Sequence, residues 1–406
     1  LLATLCWIVY ISTTTHLLPS MFRPSVKPLK EPLQREPVRQ GQQSPADVDV
    51  LKAAKIPYKV ISGEQLYSTH HCVGDSYNPE RSYEIRSCRY RNVCFVNNEL
   101  HYYKLPSHVM PRQDELDTMI PPMGRMERDF SRFRMRPAIK HADDFPSQAP
   151  YFTADGSEEV VTLMFSEYNS KGFGHHTSDV LLPIFRLAQI FGMEKLRSRM
   201  LLVDNFNPPY LWSCQHSPWH LCDFWYKNYT GLYMQDNALP LSQKSFENTT
   251  LCFKELLAGI GYLAEHATDV TGHGEFFPAW DTANVGRGAT FWDFRNEVLR
   301  RLHLPALPSM KPPEKYWDVI FHNNDGHRCN TNFTRTQLLL NKIRPSIVQA
   351  NIDWKAYSVR DQIEMATRTK VMVAIHGGGA HVAYYLPRHA SFFILWWKKG
   401  PRFGCV

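Results

Sequence analysis

Two groups of residues in this chain have the types and spacing that chemistry needs. The first is His175 with Asp179. Residues four apart on a helix share a face, and a carboxylate that orients an imidazole makes a competent general base for a hydroxyl proton. A plainer role competes, because Ser178 or Asp179 also reads as a helix N-cap, with His175 in the loop before it. The second group lies in residues 370–387, KVMVAIHGGGAHVAYYLP. There an apolar strand reaches His376, turns through Gly377, Gly378 and Gly379, and enters a short helix near Ala380 with His381 in its first turn. Glycines at a helix N-terminus bring free N–H groups and partial positive charge to one spot, which suits a phosphate. A bare triple glycine is also an ordinary tight turn, and it lacks the G-x-G-x-x-G spacing. Arg328, in the polar loop HNNDGHRCN, carries a guanidinium that can clasp a diphosphate bidentately or stand solvated. Trp212, Trp219 and Trp225 offer flat faces to sugar rings, or pack within a cysteine-rich loop.

Those residues need elements to hold them. VVTLMF, at 160–165, reads as a buried strand, and a helix is predicted over 178–191. Val180, Ile184, Leu187 and Phe191 keep its helical period and Gly192 closes it. Pro183 is tolerable only in a first turn, which places the helix start near 177–179 and sets His175, His176 and Asp179 at its mouth. MLLVD at 200–204 is the next strand. Upstream, KVISGEQLYS and NVCFVNNELHYYKL are strand-like, and 119–140 reads as a surface loop. Downstream, CFKELLAGIGYL is an apolar segment. Residues 290–304 form an amphipathic helix with Phe291, Phe294, Val298 and Leu302 inward and Arg295, Glu297, Arg300 and Arg301 outside.

A proline-rich joint, LPALPSMKPPEKY, then separates a second unit. It holds a strand at 317–321, a helix at 336–343, a further strand, and a helix over 358–369 with Ser358 and Asp361 in the capping-box relation. The glycine segment closes it. Strands alternating with helices mark the α/β class, and the glycine turn falls at the carboxyl end of a strand, where open sheets bind ligands. The predicted organisation is an N-terminal segment 1–18, a stem 19–50, an α/β domain 51–304 and a Rossmann-like domain 305–406.

Composition narrows the classes. With 406 residues, 43% hydrophobic and 21% charged, the chain is globular and long enough for two cores. A net charge of +7 is too mild and diffuse for a nucleic-acid binder, though it suits an anionic small ligand. LLATLCWIVYI is too short to cross a bilayer alone; with an upstream part it would make a signal-anchor or signal segment. Pro19, Pro24, Pro28, Pro32, Pro37 and Pro45 follow it as an extended stem. Asn228, Asn248 and Asn332 each open an N-glycosylation sequon. Outside Cys6 stand Cys72, Cys88, Cys94, Cys214, Cys222, Cys252, Cys329 and Cys405, enough for four disulfides whose pairing stays open. Sequons and cysteines together point to the secretory pathway. No C-x-x-C pair occurs, so no metal site is expected.

Five motifs in order carry a resemblance. They are GHHTSD at 174–179, CFKELLAGIG at 252–261, the helix FRNEVLRRL at 294–302, the loop ending HRCN at 327–330, and VMVAIHGGGAHVAYYLP at 371–387. This succession resembles glycosyltransferase family 61, in particular the branch of EGF-domain-specific O-linked N-acetylglucosamine transferases. The resemblance implies a GT-B fold of two facing Rossmann-like domains, with a UDP-sugar held mainly by the second. It implies metal-independent inverting transfer to a glycoprotein or polysaccharide acceptor. The setting would be the Golgi or endoplasmic reticulum lumen, in a type II single-pass membrane protein or a secreted one.

By the same resemblance Arg328, His376, Gly377 and Gly379 hold the donor diphosphate, with Gly378 and His381 beside them, and His175 and Asp179 face the cleft. A C-terminal segment crossing back to the first domain is also implied. The chain departs from the pattern in three places. The family's H-G-A-G-L-T is here His376 to His381, HGGGAH; an expected arginine is Asn323; and an acidic residue expected late in the last strand is Ile394. Losing the residues expected at Asn323 and Ile394 implies either a changed donor or a second function, which these two positions favour: a nucleotide- or glycan-binding protein of the same fold without turnover. A dinucleotide-dependent oxidoreductase is disfavoured, because no acidic residue follows a proper G-x-G-x-x-G.

Overall fold

Alternation in the strand at 160–165 shows how the first half is built. Val161, Leu163 and Phe165 enter one apolar cluster while Val160 and Met164 enter another. Successive strand residues point to opposite faces, so the sheet that carries this strand is covered on both sides. The structure, a computed structural model, describes residues 45–62, 66–73, 86–105, 107, 116, 118–119, 134–153, 160–165, 172–196, 198–203, 224–234, 240–259, 288–305, 317–322, 333–375 and 377–395.

The strands of the first half are β1 (Tyr58–Ser62), β2 (Thr69–Val73), β3 (Ser87–Val96), β4 (Glu99–Lys104), β5 (Thr118–Met119) and β6 (Arg134–Met135). After them come β7 (Ala138–His141), β8 (Gln148–Phe152), β9 (Val161–Phe165), β10 (Ser198–Leu202), β11 (Leu241–Ser242) and β12 (Thr250–Ala258). Their main sheet has ten strands, with the path β11-β10-β9-β12-β3-β4-β7. From β11 to β12 the neighbours are parallel; β3 runs antiparallel to both β12 and β4. The α/β class therefore holds, but this half is a mixed sheet and only its β9–β12 side has the parallel order of a Rossmann layer.

Asn97 and Asn98, both with positive φ (49° and 66°), close the β3–β4 hairpin in the mirror-image turn that matches strand twist. Residues 119–140 are not all loop, since β7 extends β4 in parallel. Two disulfides bridge residues facing each other across strands, Cys72–Cys88 between β2 and β3 and Cys94–Cys252 between β3 and β12. They fit an oxidising lumenal or extracellular setting. Cys214, Cys222, Cys329 and Cys405 lie outside the described residues, as do residues 1–44. Helix Pro45–Ala53 takes up the last of the expected stem and buries Leu51. Among the described residues no helix is long and apolar enough to cross a membrane.

The helix expected at 178–191 starts earlier. Its winding is α over Phe173–His175, π over His176–Leu181 and α again over Leu182–Ile190. Pro183 lacks an N–H and its ring crowds the carbonyl four residues back, so a continuous α-helix would clash there. The wider π turns ahead of it let the helix continue instead of beginning at the proline. Gly192 does close it, in a Schellman motif where Met193 N–H donates to Ala188 O at 2.8 Å and Gly192 N–H to Gln189 O at 3.1 Å.

The amphipathic helix is Gly288–Arg301, and two of its arginines are not outside. Arg295 is 2% exposed and Arg301 is buried against Glu297. Helix Val359–Thr367 has the expected N-cap: Ser358 Oγ accepts from Asp361 N–H at 3.1 Å, and donates to the Asp361 carboxylate at 2.6 Å. Apolar residues of these helices join those of both sheets in one core, from Leu163 and Met200 to Ile320 and Met372.

The Cys94–Cys252 bridge joins two central strands far apart in sequence. Replacing both cysteines by alanine is expected to lower the unfolding free energy by about 2–4 kcal/mol in urea denaturation. An unchanged midpoint would show that the bridge adds nothing to the sheet.

Candidate functional site

The second sheet has four parallel strands, β13 (Trp317–His322), β14 (Gln349–Ile352), β15 (Thr369–Ile375) and β16 (Ser391–Leu395), in the order β14-β13-β15-β16. Strand order reverses between β13 and β15. Connections leave in opposite directions there and open a crevice at the carboxyl ends of the strands. The glycine turn stands in that place. Gly377 has φ 156° and ψ 178°, a region all but reserved for glycine, and the chain then winds as a 3-10 helix over Gly378–Tyr385. The helix thus opens two residues earlier than expected and is not α.

Each of the next two glycine contacts explains a residue type. A Cβ on Gly379 would stand 2.2 Å from Nε2 of His322, the last residue of β13. His322 is buried, its ring tilted over Trp354 at 5.6 Å and its Nδ1 3.4 Å from Ile352 O, so it has nowhere to retreat. A Cβ on Gly174 would stand 2.5 Å from His381 Nδ1 and 3.0 Å from Gly378 Cα. The start of the first-half helix and the glycine turn therefore meet backbone to backbone, which brings together two motifs far apart in the sequence. The side chains of His175 and Asp179 lie outside the described residues, and so do His376, Arg328 and Asn323.

On its other side the turn opens into a pocket of about 290 Å³ lined by Gly377, Ala380, His381, Ala383, Tyr384, Phe392 and Ile394. Residues three apart eclipse in a 3-10 helix, so Gly377, Ala380 and Ala383 form one row without bulk. Phe392 and Ile394, two apart on β16, form the wall on one face of the strand. His381 and Tyr384 supply polar groups. Ile394, standing where the resemblance calls for an acid, faces this space.

Behind the turn lies a buried aromatic and hydroxyl network. Phe173 stacks on Tyr229 at 5.2 Å, and the Tyr229 and Tyr385 hydroxyls are hydrogen-bonded to each other. Thr177 Oγ1 donates to Phe173 O at 2.7 Å and stands 3.3 Å from the Tyr229 hydroxyl, and Ser178 Oγ stands 3.4 Å from the Tyr384 hydroxyl. His176, 0% exposed, sits 2.5 Å from Thr230 Oγ1 through Nε2, among the rings of Tyr226 and Tyr229. Burial pushes its pKa down to about 3, so it is neutral at pH 7. Arg295 donates through Nε to Tyr385 O at 3.2 Å and Leu386 O at 3.0 Å and lies over the Trp292 ring at 4.5 Å. Desolvation lowers its pKa to about 10, which leaves it charged at the carboxyl end of the 3-10 helix, where a cation is favourable.

Sequence reasoning gave no role to Tyr229 or His322, placed His176 only at the helix mouth, and set Arg295 on the outer face of its helix. A signal existed for two of them: His176 neighbours His175, and His322 directly follows the expected strand. Trp225 packs on Phe173 at 5.7 Å as part of this assembly; Trp212 and Trp219 lie outside the described residues. Asn248 is exposed at a turn with φ 63°. Asn228 instead sits in a helical segment, donating to Phe224 O at 2.8 Å, and Thr230 of its sequon is fully buried. Asn332 lies outside the described residues. Among the described residues no three His, Cys, Asp or Glu side chains gather as a metal site. No family model matches the chain, and no curated protein matches it.

Gly379→Ala is expected to destabilise by about 1–3 kcal/mol through overpacking on His322. Combined with His322→Ala it should cost less than the sum of the two single changes, measured by urea denaturation. His176 gives a pH dependence. Its folded pKa is depressed, so below about pH 6.5 the unfolded chain takes up a proton that the folded chain refuses, and stability falls with pH. Between pH 7 and pH 5, His176→Gln should lose roughly 2 kcal/mol less stability than the parent. Equal slopes would mean that the imidazole is not held neutral.

Proposed function

We propose that the chain is an inverting glycosyltransferase that moves a sugar from a UDP-sugar to an acceptor hydroxyl, on a GT-B arrangement of two facing Rossmann-like units. The observation that carries this reading is the pocket beside the glycine turn at the strand-order reversal of a parallel sheet, with the GHHTSD helix against the turn. In this reading N–H groups of Gly377–Gly379, with Arg328 and His376, hold the diphosphate, and His381 borders it. His175, oriented by Asp179, takes the proton of the acceptor hydroxyl as its oxygen bonds to the anomeric carbon. The bond from that carbon to the diphosphate breaks, and its electron pair leaves on UDP, stabilised by the same donors. No metal is needed for these steps. The acceptor is a glycoprotein or polysaccharide hydroxyl, and the setting is the Golgi or endoplasmic reticulum lumen.

A second reading, nucleotide or glycan binding without turnover, is favoured by one observation. Ile394 and Phe392 make the pocket wall apolar where an acid is expected to meet the donor. The two readings separate in one assay. Labelled UDP-sugars are supplied to the purified protein with EDTA, and UDP release is followed alongside UDP binding. Release supports transfer, binding without release supports the second reading, and neither across the common donors sinks both. His175→Ala and Arg328→Ala should each lower turnover by at least about 100-fold in a folded protein. Full activity in either variant would remove that residue from the site.

A further inference from the structure

An eight-residue 3-10 helix needs an explanation, because the poorer hydrogen bonds and eclipsed side chains of this winding usually end it after three or four residues. The segment Gly378–Tyr385 is held at both ends by residues of the first half. At its start, Gly174 lets the helix beginning at Phe173 press on Gly378 and His381. At its end, the Tyr385 hydroxyl is bonded to Tyr229, the Tyr384 hydroxyl lies 3.4 Å from Ser178, and Arg295 takes the carbonyls of Tyr385 and Leu386. The Tyr384 ring also stacks on Phe291 at 5.8 Å and 18°.

We infer that this two-ended clamp is what keeps the segment 3-10 and thereby sets where the glycine turn stands. Tyr229 and Tyr385 are its positioning residues. The rise is about 2.0 Å per residue in a 3-10 helix and about 1.5 Å in an α-helix. Over eight residues, relaxation to α with the Tyr385 end fixed would draw the turn back by about 4 Å. A displacement of that size exceeds the tolerance of any hydrogen-bonded anion site. The consequence for donor binding rests on the function proposed above; the clamp itself does not.

The test uses the whole protein and the variants Tyr229→Phe, Tyr385→Phe and both together. A single change takes one partner from the remaining buried hydroxyl and should lower the unfolding midpoint, whereas the double change removes both hydroxyls and should recover most of that loss. Hydrogen exchange at the amides of 378–385 should nevertheless be about tenfold faster in the double variant, with β9 and β12 unchanged. If exchange there is unchanged, the clamp is overturned.

UDP affinity, measured by calorimetry, should be about tenfold weaker in the double variant despite its recovered stability. If affinity returns together with stability, the hydroxyls serve stability alone and the positioning role is overturned. A parent protein that binds no UDP refutes the donor reading, and the clamp is then judged by exchange alone.

Discussion

Much of this structure depends on two backbones being allowed to touch. Gly174 lies in the first turn of the helix that follows β9, Gly378 opens the 3-10 helix that follows β15, and neither has a side chain to hold the other off. Because they meet, the polar row of the first helix reaches the second: Ser178 comes within hydrogen-bonding range of Tyr384, and Thr177 of Tyr229, whose hydroxyl is bonded to Tyr385. A methyl group at position 174 would collide with the His381 ring and with the Gly378 backbone, and every contact further along would shift with it. Gly379 and His322 repeat the arrangement on the other side, with an imidazole occupying the volume that a Cβ would need.

Around that contact the protein buries polar groups and gives several of them partners. His176 stays neutral against Thr230, and Arg295 stays charged against two carbonyls and the Trp292 ring. Burial acts in one direction on both, disfavouring the protonated cation, yet the outcomes differ. An imidazole starts near the physiological range and is driven below it, whereas a guanidinium starts so high that the same push leaves it ionised. Among the described residues, the network behind the glycine turn therefore contributes the fixed positive charge of Arg295 and a set of neutral hydrogen bonds. Such bonds fix geometry in a low-dielectric interior, since leaving any one of them unmade is costly.

The pocket takes its character from two simple repeats. The three-residue repeat of a 3-10 helix puts Gly377, Ala380 and Ala383 in a row without bulk, and the two-residue repeat of a strand sets Phe392 and Ile394 on one face opposite. Neither repeat alone makes a cavity. Small residues on one element and large ones on its neighbour do.

Legibility followed the range of the forces. The strands at 161–165, 317–322 and 369–375 were readable because an apolar run between turn residues is a local pattern. The stop at Gly192 and the cap at Ser358 were readable because they depend on hydrogen bonds within a few residues. The place of the glycine turn, at the carboxyl end of a strand, followed from the same local order. Tertiary structure alone decided the rest. That β12 lies between β9 and β3, one neighbour parallel and the other antiparallel, depends on pairings distant in sequence. The 3-10 winding after Gly377 is less favourable than α locally, and neighbours packed on it tip the choice. Arg295 and Arg301 look solvated on a helical wheel, and they are buried because other elements supply the carbonyls they need, with Glu297 of the same helix pairing Arg301. A sequence states each residue's preference, but which partner arrives to meet or override it is settled only when the chain has closed on itself.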